Sequence, residues 1–319
     1  MKKLQLFGLL LLAVFMLFSA VGCAPAEEPP AETGEPEVVL DADEVLMQAA
    51  LDYFEQVAAG NKNITDFKEI KAMLDVDPES VLIIDIRSAE DFEAGHITGS
   101  VNADKGEVAE LMSRIPRDKP VFIACYSGQT AGFTTAYLRM AGFDNVTSML
   151  YGIKLGWVER GSFTLDAAGK SHLNELPEVS APASEEEEII WARAKEYGAA
   201  IAAGSVGFIA LDAQEALYAQ MQADPTSVLF YDIRAATGGD DDFDKYHIEH
   251  AVNVAWGQFG TLLTDLPTDI PVVVACYSGQ TAAQTLGVLR MLGLDNAQSL
   301  HFGVRDGWVK QNNLPVVTP

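Results

Sequence analysis

The chain has 319 residues, 49% of them apolar, with 46 acidic residues against 21 basic ones and a formal net charge of −25 at pH 7. That length is a soft prior for two domains of ordinary size, and so acidic a body excludes nucleic acid and is repelled by anionic lipid. Three cysteines without a C-x-x-C pair, and five histidines without metal-ligand spacing, exclude a disulfide framework and lead us to expect no metal and no other cofactor.

Lys2 and Lys3 open the chain, Leu4 to Phe18 is almost wholly apolar, and Ala20-Val21-Gly22-Cys23 follows. The apolar run has the length of a secretory core and is short for a membrane span. This pattern resembles the lipobox of bacterial lipoproteins, which implies a signal peptide over residues 1–22 and a lipidated Cys23. Residues 23–42, rich in Pro and Glu, read as a disordered acidic tether. Loss of the two lysines with the signal moves the net charge from −25 to −27. Membrane attachment is therefore expected through the N-terminal lipid alone, on the exported side of the cell envelope, at a periplasmic face or the cell surface.

The rest of the chain repeats itself. Val76 to Arg87 reads again as Ala223 to Arg234, and Gly95-His96-Ile97 to Asn102 recurs as Tyr246-His247-Ile248 to Asn253. The extra residues of the second copy fall in Gly238 to Asp241, as a surface insertion should. Ala124 to Ala131 is identical to Ala275 to Ala282, and GIKLGW from Gly152 returns as GVRDGW from Gly303. Units of this length are duplicated domains rather than solenoid repeats. We assign residues 43–162 to a first domain, 163–188 to a linker with four glutamates, and 189–319 to a second domain. Helices are expected over 43–59 and from near Ile189 to 203, each packing on the domain it precedes.

Within the first unit Val81 to Asp85, Val121 to Ala124 and Val146 to Leu150 read as strands. Asp91 to Ala94 reads as a helical turn and Thr130 to Met140 as a helix. Short apolar runs alternating with helices indicate an α/β fold: in each unit a small parallel sheet flanked by helices on both faces. Cys125 and Cys276 then stand at the carboxyl end of a strand, in the turn that opens a helix, where open α/β sheets hold ligands. A Gly-centred turn and a helix N-terminus both favour thiolate over thiol, so a lowered cysteine pKa is expected.

These loops, with the D-x-R segment, the G-H-I-x-G segment and the G-x-x-x-G-W segment, resemble the rhodanese superfamily of sulfurtransferases. The resemblance implies that Cys125 and Cys276 are nucleophiles carrying sulfur as a persulfide. It implies that the loop amides from Tyr126, Ser127, Gly128, Gln129 and Thr130, and from Tyr277, Ser278, Gly279, Gln280 and Thr281, hold the bound sulfur. Asp85, Arg87, Asp232 and Arg234 are read as supporting residues, the arginines pairing with nearby carboxylates such as Glu90. His96 and His247 are read as structural, and Trp157 and Trp308 as core anchors. The implied partners are small sulfur-containing anions (thiosulfate, mercaptopyruvate or polysulfide) and thiol acceptors, outside the cytoplasm. The uncharged loop, with Ser at its third and Thr at its sixth position, is similar to the mercaptopyruvate-using branch. Tyr246 and His250 depart from the glycines matching them, Gly95 and Gly99, which places the local geometry there in question. Two other readings stand beside this one. In the first, the loops form a non-turnover carrier of sulfur, selenium or tellurium species for an unidentified envelope redox partner. The second, phosphatase chemistry, is rejected, because the sixth position after each cysteine is Ala131 or Ala282 and no arginine grips a phosphate.

Overall fold

A computed structural model describes residues 40–318; the expected signal peptide, lipidated Cys23 and nearly all of the tether lie outside the described residues. The first unit runs α1 (Ala42–Ala58), β1 (Ile64–Thr65), α2 (Phe67–Val76), β2 (Leu82–Asp85), α3 (Ala89–Ala94), β3 (Val101–Asn102), β4 (Val121–Ala124), α4 (Gln129–Met140) and β5 (Val146–Met149), then a π-helical turn over Gly152–Arg160. The second runs α5 (Glu185–Ala202), β6 (Phe208–Ile209), α6 (Gln214–Ala223), β7 (Leu229–Asp232), β8 (Val252–Asn253), β9 (Val272–Ala275), α7 (Gln280–Met291) and β10 (Ala297–Leu300), then a π-helical turn over Gly303–Val309. Each unit holds one five-stranded sheet, in the orders β1-β5-β4-β2-β3 and β6-β10-β9-β7-β8, with every pairing parallel. This is the expected α/β architecture. None of the described helices is long and apolar enough to cross a membrane.

Alternation along the central strands divides the core. Leu82, Ile84, Val121 and Ile123 belong to one cluster that also holds Tyr231, Val272 and Val274 of the second unit. Their neighbours Ile83 and Phe122 pack with Trp157 on the outer face of the first sheet, and Phe230 and Val273 pack with Trp308 on that of the second. One face of each sheet thus closes onto apolar residues shared by both units, and the other onto its own.

The leading helices do not pack as expected. The buried face of α1, Leu46, Ala50, Tyr53, Phe54 and Val57, follows helical spacing. It lies against the segment Trp256–Asp265 of the second unit, with the Phe54 and Phe259 rings 5.6 Å apart. Conversely, α5 packs on the first unit. Trp191 stacks on Phe143 at 5.5 Å and donates its indole N–H to the Ala141 carbonyl at 3.0 Å, and Tyr197 meets Phe133. The two units thus largely exchange their first helices, each keeping a smaller contact at home: Arg139 donates to Gln56 of α1, and Arg193 of α5 donates to the Met291 and Arg290 carbonyls. Periodicity marks which face of a helix is apolar but not which surface receives it. The second of these helices also begins earlier than expected. Ser184 caps it by accepting from the Glu187 amide at 3.3 Å, and all four glutamates occupy its first turn, where the helix dipole favours them.

The stretch expected as a linker is ordered along the first unit. Asp166 bridges His96, the Ser171 carbonyl accepts from the Asn102 amide, Leu173 is buried, and the Val179 and Ser180 amides donate to the Ser113 carbonyl. Because α1 completes the other unit's core, Phe54→Ala should cost about 3–5 kcal/mol through cavity formation. The urea midpoint should fall while both units still unfold in a single transition. Two separated transitions, with one at its original midpoint, would contradict the exchange.

Candidate active site

The apolar run Val121 to Ala124 makes β4 the central strand, and Asp85 of β2 lies level with Ala124, one residue before the thiol. The chain then turns through Gly128, at φ +87°, into α4; in the second unit Gly279 does the same at φ +88° ahead of α7. These left-handed torsions suit glycine, and a β-carbon on Gly128 would also strike the Gln280 side chain at 2.6 Å.

The turn aims amides at sulfur. Cys125 Sγ accepts from the Gly128 N–H at 3.1 Å and the Ala131 N–H at 3.3 Å. Cys276 Sγ accepts from Gly279 at 3.2 Å and Ala282 at 3.5 Å. The amide of Ser127 and the hydroxyl of Thr130 also favour an anionic Cys125. The alanines at the sixth position, noted in the sequence only for lacking an arginine, therefore contribute through their backbone. Any residue but proline supplies that amide, so the side chain carried no signal.

Both thiols are buried, Cys125 at 1% and Cys276 at 3% exposure. For Cys125 burial outweighs the amides and pushes the thiol above its ordinary value, opposite to the shift expected from the loop alone.

The tyrosines brace the loops from outside. The Tyr126 hydroxyl donates to Asp91 and accepts from the Ser88 amide at 3.3 Å. That bond and the Ser88 hydroxyl hold the Asp91 carboxyl below its usual range. The Tyr277 hydroxyl donates to Asp242 at 2.5 Å and accepts from the Ala235 amide at 3.1 Å. Partial burial and the Asp242 carboxylate push the Tyr277 hydroxyl up to about 12, so it stays a donor at any working pH.

Gln129 and Gln280, expected to serve through their amides, send their buried side chains across to the opposite unit. Gln129 donates to the Ser278 carbonyl at 3.1 Å and accepts from the Phe302 amide at 3.3 Å. Gln280 donates to Ser148 Oγ at 3.0 Å and the Met149 carbonyl at 3.1 Å, and accepts from the Tyr151 amide at 3.2 Å. A cavity of about 190 Å³ beside Cys276 is accordingly lined by Ile64, Leu150 and Tyr151 of the first unit together with Arg305.

Asp85 and Arg87 form a buried pair, Nη2 to Oδ2 2.6 Å, with Nη2 also donating to the Gly95 carbonyl at 2.8 Å. Asp232 and Arg234 repeat it at 2.7 Å, with donation to the Asp241 and Tyr246 carbonyls. The partners are thus the D-x-R aspartates rather than Glu90, and the arginines pin the loop beside the site. His96 stacks on Phe92 and its Nδ1 lies 2.9 Å from the Phe92 carbonyl; His247 repeats this on Phe243. His250 reproduces the left-handed torsion of Gly99, φ +68° against +82°, so the second unit keeps the turn despite losing its glycine. Among the described residues no group of three or more His, Cys, Asp or Glu is placed to hold a metal.

Comparison with known proteins accords with this geometry. The rhodanese-like domain family matches residues 66–159 and 213–310, together more than half of the chain. The thiosulfate sulfurtransferase GlpE of Pseudomonas entomophila is 34% identical over 94 residues, 29% of this chain and 86% of that protein. GlpE of Pseudoalteromonas translucida is 38% identical over 74 residues, 23% of this chain and 70% of that protein. Among solved structures, Escherichia coli SseA, titled a 3-mercaptopyruvate sulfotransferase, covers 75% of this chain and 97% of its own at 20% identity and a TM-score of 0.31.

Thiolate is the reactive form of cysteine. Alkylation of Cys125 by iodoacetamide, measured in Cys276→Ser, should therefore rise about tenfold per pH unit and keep rising beyond the ordinary thiol value of about 8.5. A plateau reached below pH 8 would contradict the effect of burial.

Proposed function

The chain belongs to the rhodanese-like family in both of its units, and from that premise we propose that it is a sulfurtransferase of the rhodanese type, working through a persulfide on Cys125 and on Cys276. The observation that carries the reading is the pair of thiols, each receiving two backbone N–H groups at the head of a helix. The thiolate attacks the outer sulfur of a sulfane donor. A new S–S bond forms, the donor's bond breaks, and the leaving group departs with the bonding electrons; thiosulfate, for example, leaves as sulfite. The amides that face Sγ compensate the charge of the thiolate, and those of Tyr126 to Thr130 and Tyr277 to Thr281 do the same for the persulfide anion. A thiol or another thiophilic acceptor then takes the terminal sulfur and regenerates the thiolate.

Asp85, Arg87, Asp232 and Arg234 act by holding the neighbouring loop, since their charges are spent on one another and on carbonyls. The donor is a small sulfur-containing anion, either a sulfane of the thiosulfate or polysulfide kind or mercaptopyruvate, whose C–S bond breaks with the electron pair and a proton going to carbon so that pyruvate leaves. Export and lipid anchoring through Cys23 form part of the same proposal, supported by the basic start, the apolar run and the Ala-Val-Gly-Cys sequence. On this reading residues 1–22 are removed and the tether ends at α1.

Intact-protein mass spectrometry after exposure to thiosulfate, mercaptopyruvate or polysulfide should show one added sulfur per cysteine, lost singly in Cys125→Ser and Cys276→Ser. Release of thiocyanate on adding cyanide should be catalytic. Loading without turnover would instead indicate a carrier, and no adduct with any donor would sink sulfur transfer. Labelling with a fatty-acid analogue should mark the wild type and not Cys23→Ala; equal labelling of both would remove the anchor.

A further inference from the structure

Each loop is clasped from behind by the π-helical turn that follows the last strand of its sheet. Ile153 and Lys154 donate their amides to the Cys125 and Tyr126 carbonyls at 2.7 and 3.0 Å. Val304 and Arg305 donate to the Cys276 and Tyr277 carbonyls at 2.8 and 3.0 Å. The repeated register places a basic residue, Lys154 or Arg305, at the same point behind each loop, and Arg305 lines the cavity beside Cys276.

The two cations differ in their surroundings. Arg305 is held at 2.9 and 2.7 Å by both oxygens of Asp306, a carboxylate that Lys310 also pairs at 3.1 Å, and lies 3.5 Å from Asp241. Tyr151 of the first unit lines the same cavity as Arg305. Around Lys154 every one of these partners is missing. Leu155 stands in place of Asp306, Phe302 in place of Tyr151, and Asp241 belongs to the insertion that only the second unit carries. Lys154 is exposed and makes no ion pair among the described residues. The carboxylates that brace the loop tyrosines, Asp91 and Asp242, are present once at each site and do not distinguish them. Arg160 lies over the Tyr151 ring but does not line the Cys276 cavity.

We propose that this position sets the charge of the donor each loop accepts. Lys154 gives the Cys125 loop a free cation for a dianionic sulfane donor such as thiosulfate. Arg305 is committed to Asp241 and to Asp306, the latter shared with Lys310, and it leaves the Cys276 loop to a donor of lower charge. The two units are then not redundant copies but two entrances of different selectivity. The proposal rests on the sulfur-transfer reading and adds a specificity residue to it. The transfer step is unchanged: the Cys125 thiolate takes the outer sulfur of thiosulfate, and sulfite leaves with the electron pair of the broken S–S bond.

The test uses the full chain with one loop cysteine at a time, Cys276→Ser or Cys125→Ser. Iodoacetate and iodoacetamide are nearly the same size and differ by one charge, so the ratio of their alkylation rates reads the field at each thiol without requiring sulfur transfer. The ratio should be higher at Cys125 than at Cys276. In the Cys125 background, Lys154→Met should lower it roughly fivefold at low salt and less at high salt. The same substitution should raise the thiosulfate concentration giving half-maximal loading by a similar factor. In the Cys276 background, Asp306→Leu should raise the ratio by freeing Arg305. Lys154 is exposed, so its variant carries little folding risk if the aspartate variant fails to fold. Equal ratios at the two cysteines, or a ratio at Cys125 indifferent to Lys154→Met, overturn the proposal. Failure of every donor to add sulfur, with the ratios as described, would overturn the sulfur-transfer reading instead and leave the charge asymmetry standing.

Discussion

The contact between α4 and α7 is the constraint from which the remaining architecture follows. Both helices begin at a reactive loop and are buried along most of their length, because each lies between its own sheet and the other helix. They approach closely enough that a β-carbon on Gly132 would meet the Gln280 carbonyl at 2.6 Å, and one on Gly287 the Phe133 carbonyl at 2.8 Å. At the head of this seam the side chains of Gln129 and Gln280 cross in opposite directions. Buried amides of this kind are costly to leave unpaired, and both are paired with the backbone of the other unit. Each loop is therefore shaped partly by residues more than a hundred positions away.

This arrangement gives the duplication a physical meaning. The exchange of α1 and α5, the shared apolar cluster and the crossed glutamines all tie one unit's site to the other unit's fold. The copies have nonetheless diverged both within the seam, Gly132 against Ala283 and Phe133 against Gln284, and in the turn behind the loop, Leu155 against Asp306, with Tyr151 against Phe302 and the inserted Asp241 beside it. The loops themselves have stayed identical.

Much of this was legible in the sequence. The repeat, the buried strands Val121–Ala124 and Val146–Met149, and the helix after each cysteine follow from short apolar runs and turn chemistry, which are local properties. The cysteines stand out because they end a strand and precede a Gly-centred turn. The destination of α1 was not legible, since an amphipathic helix carries no address. Nor were the crossings of Gln129 and Gln280, because a glutamine at a helix start is ordinary until its partner surface is known. The raised Cys125 thiol was missed for a related reason. A turn and a helix N-terminus can be read from a few residues, whereas desolvation depends on everything packed around them. Lys154 and Arg305 could have been found, because the repeat aligns two basic residues at one position of a shared motif.

The account stands or falls on the claim that each loop is built by both units. Amide hydrogen exchange in Gln129→Ala tests it most directly. Exchange should quicken in the opposite unit, at residues 277–282 and 302–304, as well as around the substitution itself. Faster exchange confined to residues 125–132 would contradict it and return the protein to two independent domains joined by a linker.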